Sequence, residues 1–159
     1  MVSTNRYIIA FLGALFLQLF IVDILSINGI RPDFFFIFIL YVAIHKGSYN
    51  GVIIGLIIGI ISDLFGRGSE LGLSSLTYVV VGYLSGFLKK QHLRLEPIYF
   101  HFAWVAISVF GFFIYIYFKD HFLADSDLSL LWGKWIFSSA YTFGFIVILQ
   151  LIIPIRINK

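Results

Sequence analysis

Cysteine is absent from the 159 residues, charge is scarce, and proline occurs only three times. Without a thiol there is no disulfide framework, no thiolate nucleophile and no cysteine metal site. Asp, Glu, Lys and Arg together make 12% of the chain, against about 25% in average soluble domains. A globule of this size would hide about two thirds of its surface, yet it would lack the polar groups to cover the remainder. A water-soluble single domain is therefore excluded, and an all-α polytopic membrane protein is expected. Apolar segments consume nearly the whole length, so residues 1–159 read as a single integral membrane domain. Missing too are a G-x-x-x-x-G-K-[ST] phosphate loop and a dinucleotide fingerprint. Any energy-using process would need its nucleotide chemistry from another subunit, and no cofactor is expected. The net charge of +3 does not signal nucleic acid, because no basic block with interleaved polar surface forms a groove.

What is present is apolar, and 60% of the residues are hydrophobic. A helix needs about 20 apolar residues to cross about 30 Å of hydrocarbon. Four segments have that length: Tyr7 to Leu25, Leu71 to Leu88, Pro97 to Phe118 and Trp135 to Ile155. Two shorter runs, Phe34 to Ile44 and Gly51 to Ser62, lie between the first two and are separated by the polar stretch His45 to Asn50. They make either short tilted spans or a re-entrant hairpin, for about six transmembrane helices in all. The first segment lacks a small-residue cleavage motif and is read as a retained helix. With the N-terminus inside, Arg6, Lys46, Lys89, Lys90, Arg94, Arg156 and Lys159 fall on the cytoplasmic side. Arg31, Arg67, Lys119 and Lys134 fall outside. This bias predicts both termini in the cytoplasm. Lys119 to Leu131 reads as the longest outer loop, and Trp132, Trp135, Tyr99, Tyr115 and Tyr117 near segment ends read as interfacial anchors.

Helices in lipid gain little from the hydrophobic effect and associate through close packing of small residues. Gly51, Gly55 and Gly59 repeat at four-residue spacing in GVIIGLIIG, as do Gly82 with Gly86, Ala10 with Ala14, and Ala140 with Gly144. Each set shares a helix face that serves either packing within this chain or docking of a partner helix. The few charges at membrane depth cost several kcal/mol unless paired or wetted. Asp23 closes the first segment. Arg31, Pro32 and Asp33 form a compact element in which Pro32 suits the first helical position and Asp33 the first turn, at the favourable end of the helix dipole. Asp63 ends the glycine-rich segment. Their common depth predicts that Arg31 pairs with Asp63 or Asp23.

Two aspartates on different helices are also what an intramembrane aspartyl peptidase needs, one to deprotonate water and one to protonate the leaving group. However, Ile61 and Ser62 precede Asp63 with no G-x-G-D, and Asp23 has no N-x-x-D companion. Ser74 and Ser75 lack a G-x-S-x-G elbow. His92 with Glu96, and His121 with Asp125, share helical spacing but lack a third ligand. No catalytic residue, metal site or enzyme activity is expected.

The order of these features resembles MreD, the small membrane subunit of the bacterial rod-shape (elongasome) machinery. GIRPDFFFIFILYVA at Gly29 to Ala43 matches the R-P-D-like element before the second helix. The family's glycine-rich helix ending in Asp is matched by Gly51, Gly55, Gly59 and Asp63. Its Leu-Gly-Leu step is matched by Leu71, Gly72 and Leu73, followed by the small residues Gly82 and Gly86. The resemblance is strongest over Gly29 to Gly86; beyond Lys89 it rests on helix count and length. It implies a non-enzymatic subunit that binds MreC and helps couple MreB filaments to the RodA glycosyltransferase and its penicillin-binding transpeptidase. The implied fold is a six-helix bundle similar to the substrate-binding subunits of ECF-type vitamin transporters, and such a subunit is the alternative reading.

Overall fold

The computed structural model describes residues 4–27, 31–65, 72–91, 96–123 and 128–152. Among them are six helices: α1 (Thr4–Phe16), α2 (Phe34–Lys46), α3 (Ser48–Phe65), α4 (Leu73–Gln91), α5 (Pro97–Leu123) and α6 (Leu128–Ile152). A π-helical turn, Leu17–Ile21, extends α1.

Several boundaries differ from the sequence expectation, each for a local reason. The polar stretch His45 to Asn50 is not a loop. His45 and Lys46 close α2, Ser48 opens α3, and Gly47 alone turns the chain. Gly47 has φ +96°, a conformation that a Cβ disfavours and glycine adopts freely. The polar side chains are absorbed by backbone acceptors: Asn50 donates to the Lys46 carbonyl at 3.3 Å, and Ser48 Oγ to the Tyr83 carbonyl at 3.0 Å. The third segment thus grows to 18 residues, about 27 Å of helix, while α2 with 13 residues reaches about 20 Å. At the far end, α5 continues to Leu123 and α6 begins at Leu128, so helix takes up most of the stretch Lys119 to Leu131 that reads in sequence as a loop.

Successive helices run antiparallel. Tyr7 lies against Tyr41 and Phe11 against Phe38, while Trp135 Nε1 donates to the Val109 carbonyl at 3.2 Å and Trp104 meets Phe143. Helix α2 is the centre. It touches α1, α3, α4 and α6, and α4 packs in turn on α3 and α5. Phe34, Phe35, Phe36, Ile39, Leu40, Val42, Ala43 and Ile44 are all buried, as expected of a helix that is apolar on every face. Phe36 stacks on Phe112 of α5 with ring centroids 4.6 Å apart, and Phe34 meets Phe145 of α6 edge-on at 5.3 Å. Among the described residues only Ile98–Lys119, within α5, is both long and apolar enough to cross a membrane by itself. Tyr7–Ile21, Phe34–Lys46, Ser48–Leu64 and Trp135–Ile148 are shorter apolar helices.

Candidate functional site

The small residues of α3 and α4 form one antiparallel seam. Gly51 faces Gly82, Gly55 faces Tyr78, Gly59 faces Ser75 and Gly86 faces Ser48. A Cβ on Gly55 would lie 2.6 Å from the Tyr78 carbonyl oxygen, and one on Gly59 would lie 2.7 Å from the Ser75 nitrogen and collide with its Cα. On Gly51 it would strike the Gly82 carbonyl and stand 2.8 Å from the Ala43 Cβ; on Gly86 it would strike the Ser48 backbone. Backbone meets backbone at four levels, over about three turns, the close approach that small-residue faces permit between helices. The glycine faces of both helices are thereby occupied within this chain. The other two small-residue pairs differ. Ala14 is buried and Ala10 packs against the core, whereas Ala140 and Gly144 are exposed and a Cβ on Gly144 would meet nothing within 4 Å.

Asp63 closes the seam at the end where α3 stops and α4 begins. One carboxylate oxygen accepts from the Gly72 N–H at 2.9 Å, the Ser75 N–H at 3.2 Å and the Ser75 hydroxyl at 3.0 Å, and the other accepts from the Ser74 N–H at 3.0 Å. A residue of α3 therefore satisfies the orphan N–H groups that open α4 and sets its charge on the positive end of that helix's dipole. Gly72 turns toward the carboxylate with φ +99°, a second position where only glycine is unstrained. The pairing of Arg31 with Asp63 does not form. Arg31 takes the other expected partner, with Nη1 3.1 Å from Asp23 Oδ1, and both side chains are about half exposed. The physical reason is supply: Asp63 is buried and its lone pairs are taken by amides and a hydroxyl held in place by α4.

Asp33 works in the same way on α2. The expectation that Pro32 occupies the first helical position and Asp33 the first turn is off by a step. Asp33 is the N-cap, accepting from the Phe36 N–H at 2.9 Å, and Pro32 lies ahead of it, buried. An N-cap aspartate closing on the third helical N–H is a favoured arrangement. Its second oxygen accepts from the Tyr78 hydroxyl at 2.7 Å, which ties α4 to the start of α2. Ser62 lies beside Tyr78, and Tyr115 of α5 beside Ser74. Four helices thus contribute to one polar cluster beneath an apolar core.

Sequence reasoning missed Tyr78, read Tyr115 only as an interfacial anchor, and missed two further ties. Gln18, in the π-helical turn, accepts from the Phe34 N–H at 2.9 Å, and the Tyr141 hydroxyl donates to the Leu25 carbonyl at 2.7 Å. The visible signal was polarity alone, a glutamine within an apolar run and tyrosines one turn beyond serines. Gly29, Ile30, Leu71, His92 and Asp125 lie outside the described residues. The spacings His92–Glu96 and His121–Asp125 are therefore not described, and among the described residues no three His, Asp or Glu converge as metal ligands.

The profile of a family described as rod shape-determining protein MreD matches residues 4–158. The chain belongs to the MreD family. The match runs through all six helices, well past Lys89 where the motif resemblance ends, and it assigns the protein to rod-shape determination at a membrane. No curated protein and no solved structure matches the chain.

Proposed function

We propose that this MreD-family chain is a non-catalytic, multi-pass subunit of the bacterial cytoplasmic membrane, with both termini in the cytoplasm. It binds MreC and, with RodA and its penicillin-binding transpeptidase, helps link MreB filaments to peptidoglycan synthesis. The observation that carries this reading is the family match across residues 4–158. Geometry bears on the multi-pass and non-catalytic parts of it. The alternating helix directions fit six spans, the 18 residues of α3 favour a span of about 27 Å over a re-entrant turn, and α2 is short but sheathed by its neighbours. A bundle similar to the ECF substrate-binding subunits is the fold this reading carries. Against catalysis, Asp63 spends its oxygens on three N–H groups and a hydroxyl, where a peptidase carboxylate would hold water.

Depletion of the protein in a rod-shaped host, together with affinity capture of a tagged chain, tests the proposal. Rounded cells and co-purification of MreC are expected. Cells that keep their shape but lose uptake of one vitamin would contradict it and support the transporter subunit.

A further inference from the structure

The indole of Trp104 is buried, and its one polar atom depends on a histidine at the surface. Trp104, in α5, is 3% exposed, belongs to the central apolar core and meets Phe143 of α6 with ring centroids 6.2 Å apart. Its Nε1–H donates to Nδ1 of His101, one turn earlier on the same helix, at 3.1 Å. His101 is exposed and stands about one turn in from Pro97, where α5 begins. Phe100 packs edge-on against the imidazole.

An indole nitrogen only donates. His101 Nδ1 therefore keeps its lone pair, which fixes the neutral ring with its proton on Nε2. An imidazolium carries N–H on both nitrogens and accepts nothing. Charging His101 thus breaks the bond, sets two donors face to face and leaves a buried N–H without its acceptor. The other titratable groups on α5 near His101 are Glu96 and Tyr99, both exposed. On α4, which packs on α5, Lys89 donates to the Lys46 carbonyl and Lys90 follows it, while Tyr78 and Tyr83 are engaged with Asp33 and Phe87. On α6, Tyr141 donates to the Leu25 carbonyl and Lys134 lies near the helix start. On α2, whose Phe36 stacks on α5, His45 is bonded to the Tyr41 carbonyl and Lys46 lies over Tyr7.

Helices α5 and α6 are tied at a second place, where Trp135 Nε1 donates to the Val109 carbonyl and its ring meets Phe113 edge-on. The Trp104 end can open while that place holds. We propose that His101 and Trp104 form a proton-sensitive latch between α5 and α6, closed while the imidazole is neutral and released when it is protonated. Release lets the helix segments around Trp104 and Phe143 move apart. The latch rests neither on the proposed partners nor on membrane orientation.

The test follows the purified full chain, labelled with fluorotryptophan, by fluorine NMR in detergent, with Trp132→Phe and Trp135→Phe assigning the resonances. Because the chain has no cysteine, spin labels on Ile98→Cys and Val147→Cys, both exposed positions, report the separation of α5 from α6 by pulsed EPR. Between about pH 8 and about pH 5, the range in which histidine ordinarily changes charge, the Trp104 resonance is expected to shift in one step and the separation to grow. The Trp132 and Trp135 resonances hold. His101→Gln, whose amide oxygen accepts without titrating, keeps the Trp104 resonance and the separation constant, and His45→Gln leaves the step in place. A Trp104 resonance and a separation that do not change with pH overturn the proposal whether or not the variants fold. So does a step that survives His101→Gln, a step with no change in separation, or a shift of all three resonances together, which marks general unfolding.

Discussion

The same small-residue spacing does opposite things in α3 and α6. In α3 it brings Gly51, Gly55 and Gly59 against the backbone of α4, whereas in α6 Ala140 and Gly144 stay exposed with nothing within reach of a Cβ on Gly144. Four-residue spacing makes a smooth face; it does not supply a partner. In α3 the partner is supplied by complementary small residues on α4 and by Asp63, which locks the register by capping that helix. Among the described residues nothing equivalent borders Gly144. The carboxylates show a parallel contrast: Asp63 and Asp33 are tied to helix N-termini, and Asp23 shares a half-exposed ion pair with Arg31.

Substitutions along these lines separate the two kinds of region. Gly59→Leu must force α3 from α4 against rigid backbone, and a loss of about 3 kcal/mol or more is expected. The matched Gly144→Leu should change stability by less than about 0.5 kcal/mol. Reversible unfolding in detergent compares them, and equal losses would mean that the seam is no tighter than the periphery. Asp63→Ala strands the N–H groups of Gly72, Ser74 and Ser75 and should cost about 2 kcal/mol, with Asp63→Asn recovering part of it because one acceptor remains. Tyr78→Phe leaves the Asp33 cap on Phe36 in place and removes one hydrogen bond, about 1 kcal/mol. The smallest effect belongs to Arg31→Gln, below about 1 kcal/mol since its pair with Asp23 is half solvated. A larger loss there than at Asp63 would invert the ranking of the two carboxylate environments.

Much of this was legible in the residues. The apolar runs marked all six helices, the glycine spacing marked the face that α3 presents, and the R-P-D element marked the start of α2. The ends of the helices were less visible. His45 to Asn50 look like a loop because they are polar, yet Gly47 alone makes the turn and the backbone absorbs the rest. Asp63 drew attention as a charge, and a charge at membrane depth invites an opposite charge. Its actual partners are backbone N–H groups, which every residue but proline carries and which composition therefore cannot reveal. Gln18 and Tyr141 escaped for the same reason, since each bonds to main chain on a different helix or turn. Side chains that pair with backbone across helices leave no complementary residue in the sequence to find.

The central claim is that the α3–α4 seam builds the bundle through which this MreD-family protein supports cell shape. Replacing the native copy with Gly55→Leu or, separately, Gly144→Leu and measuring cell width at matched protein levels tests it most directly. The account predicts wide, rounded cells for Gly55→Leu and rods of normal width for Gly144→Leu. Rods of normal width with Gly55→Leu would contradict it.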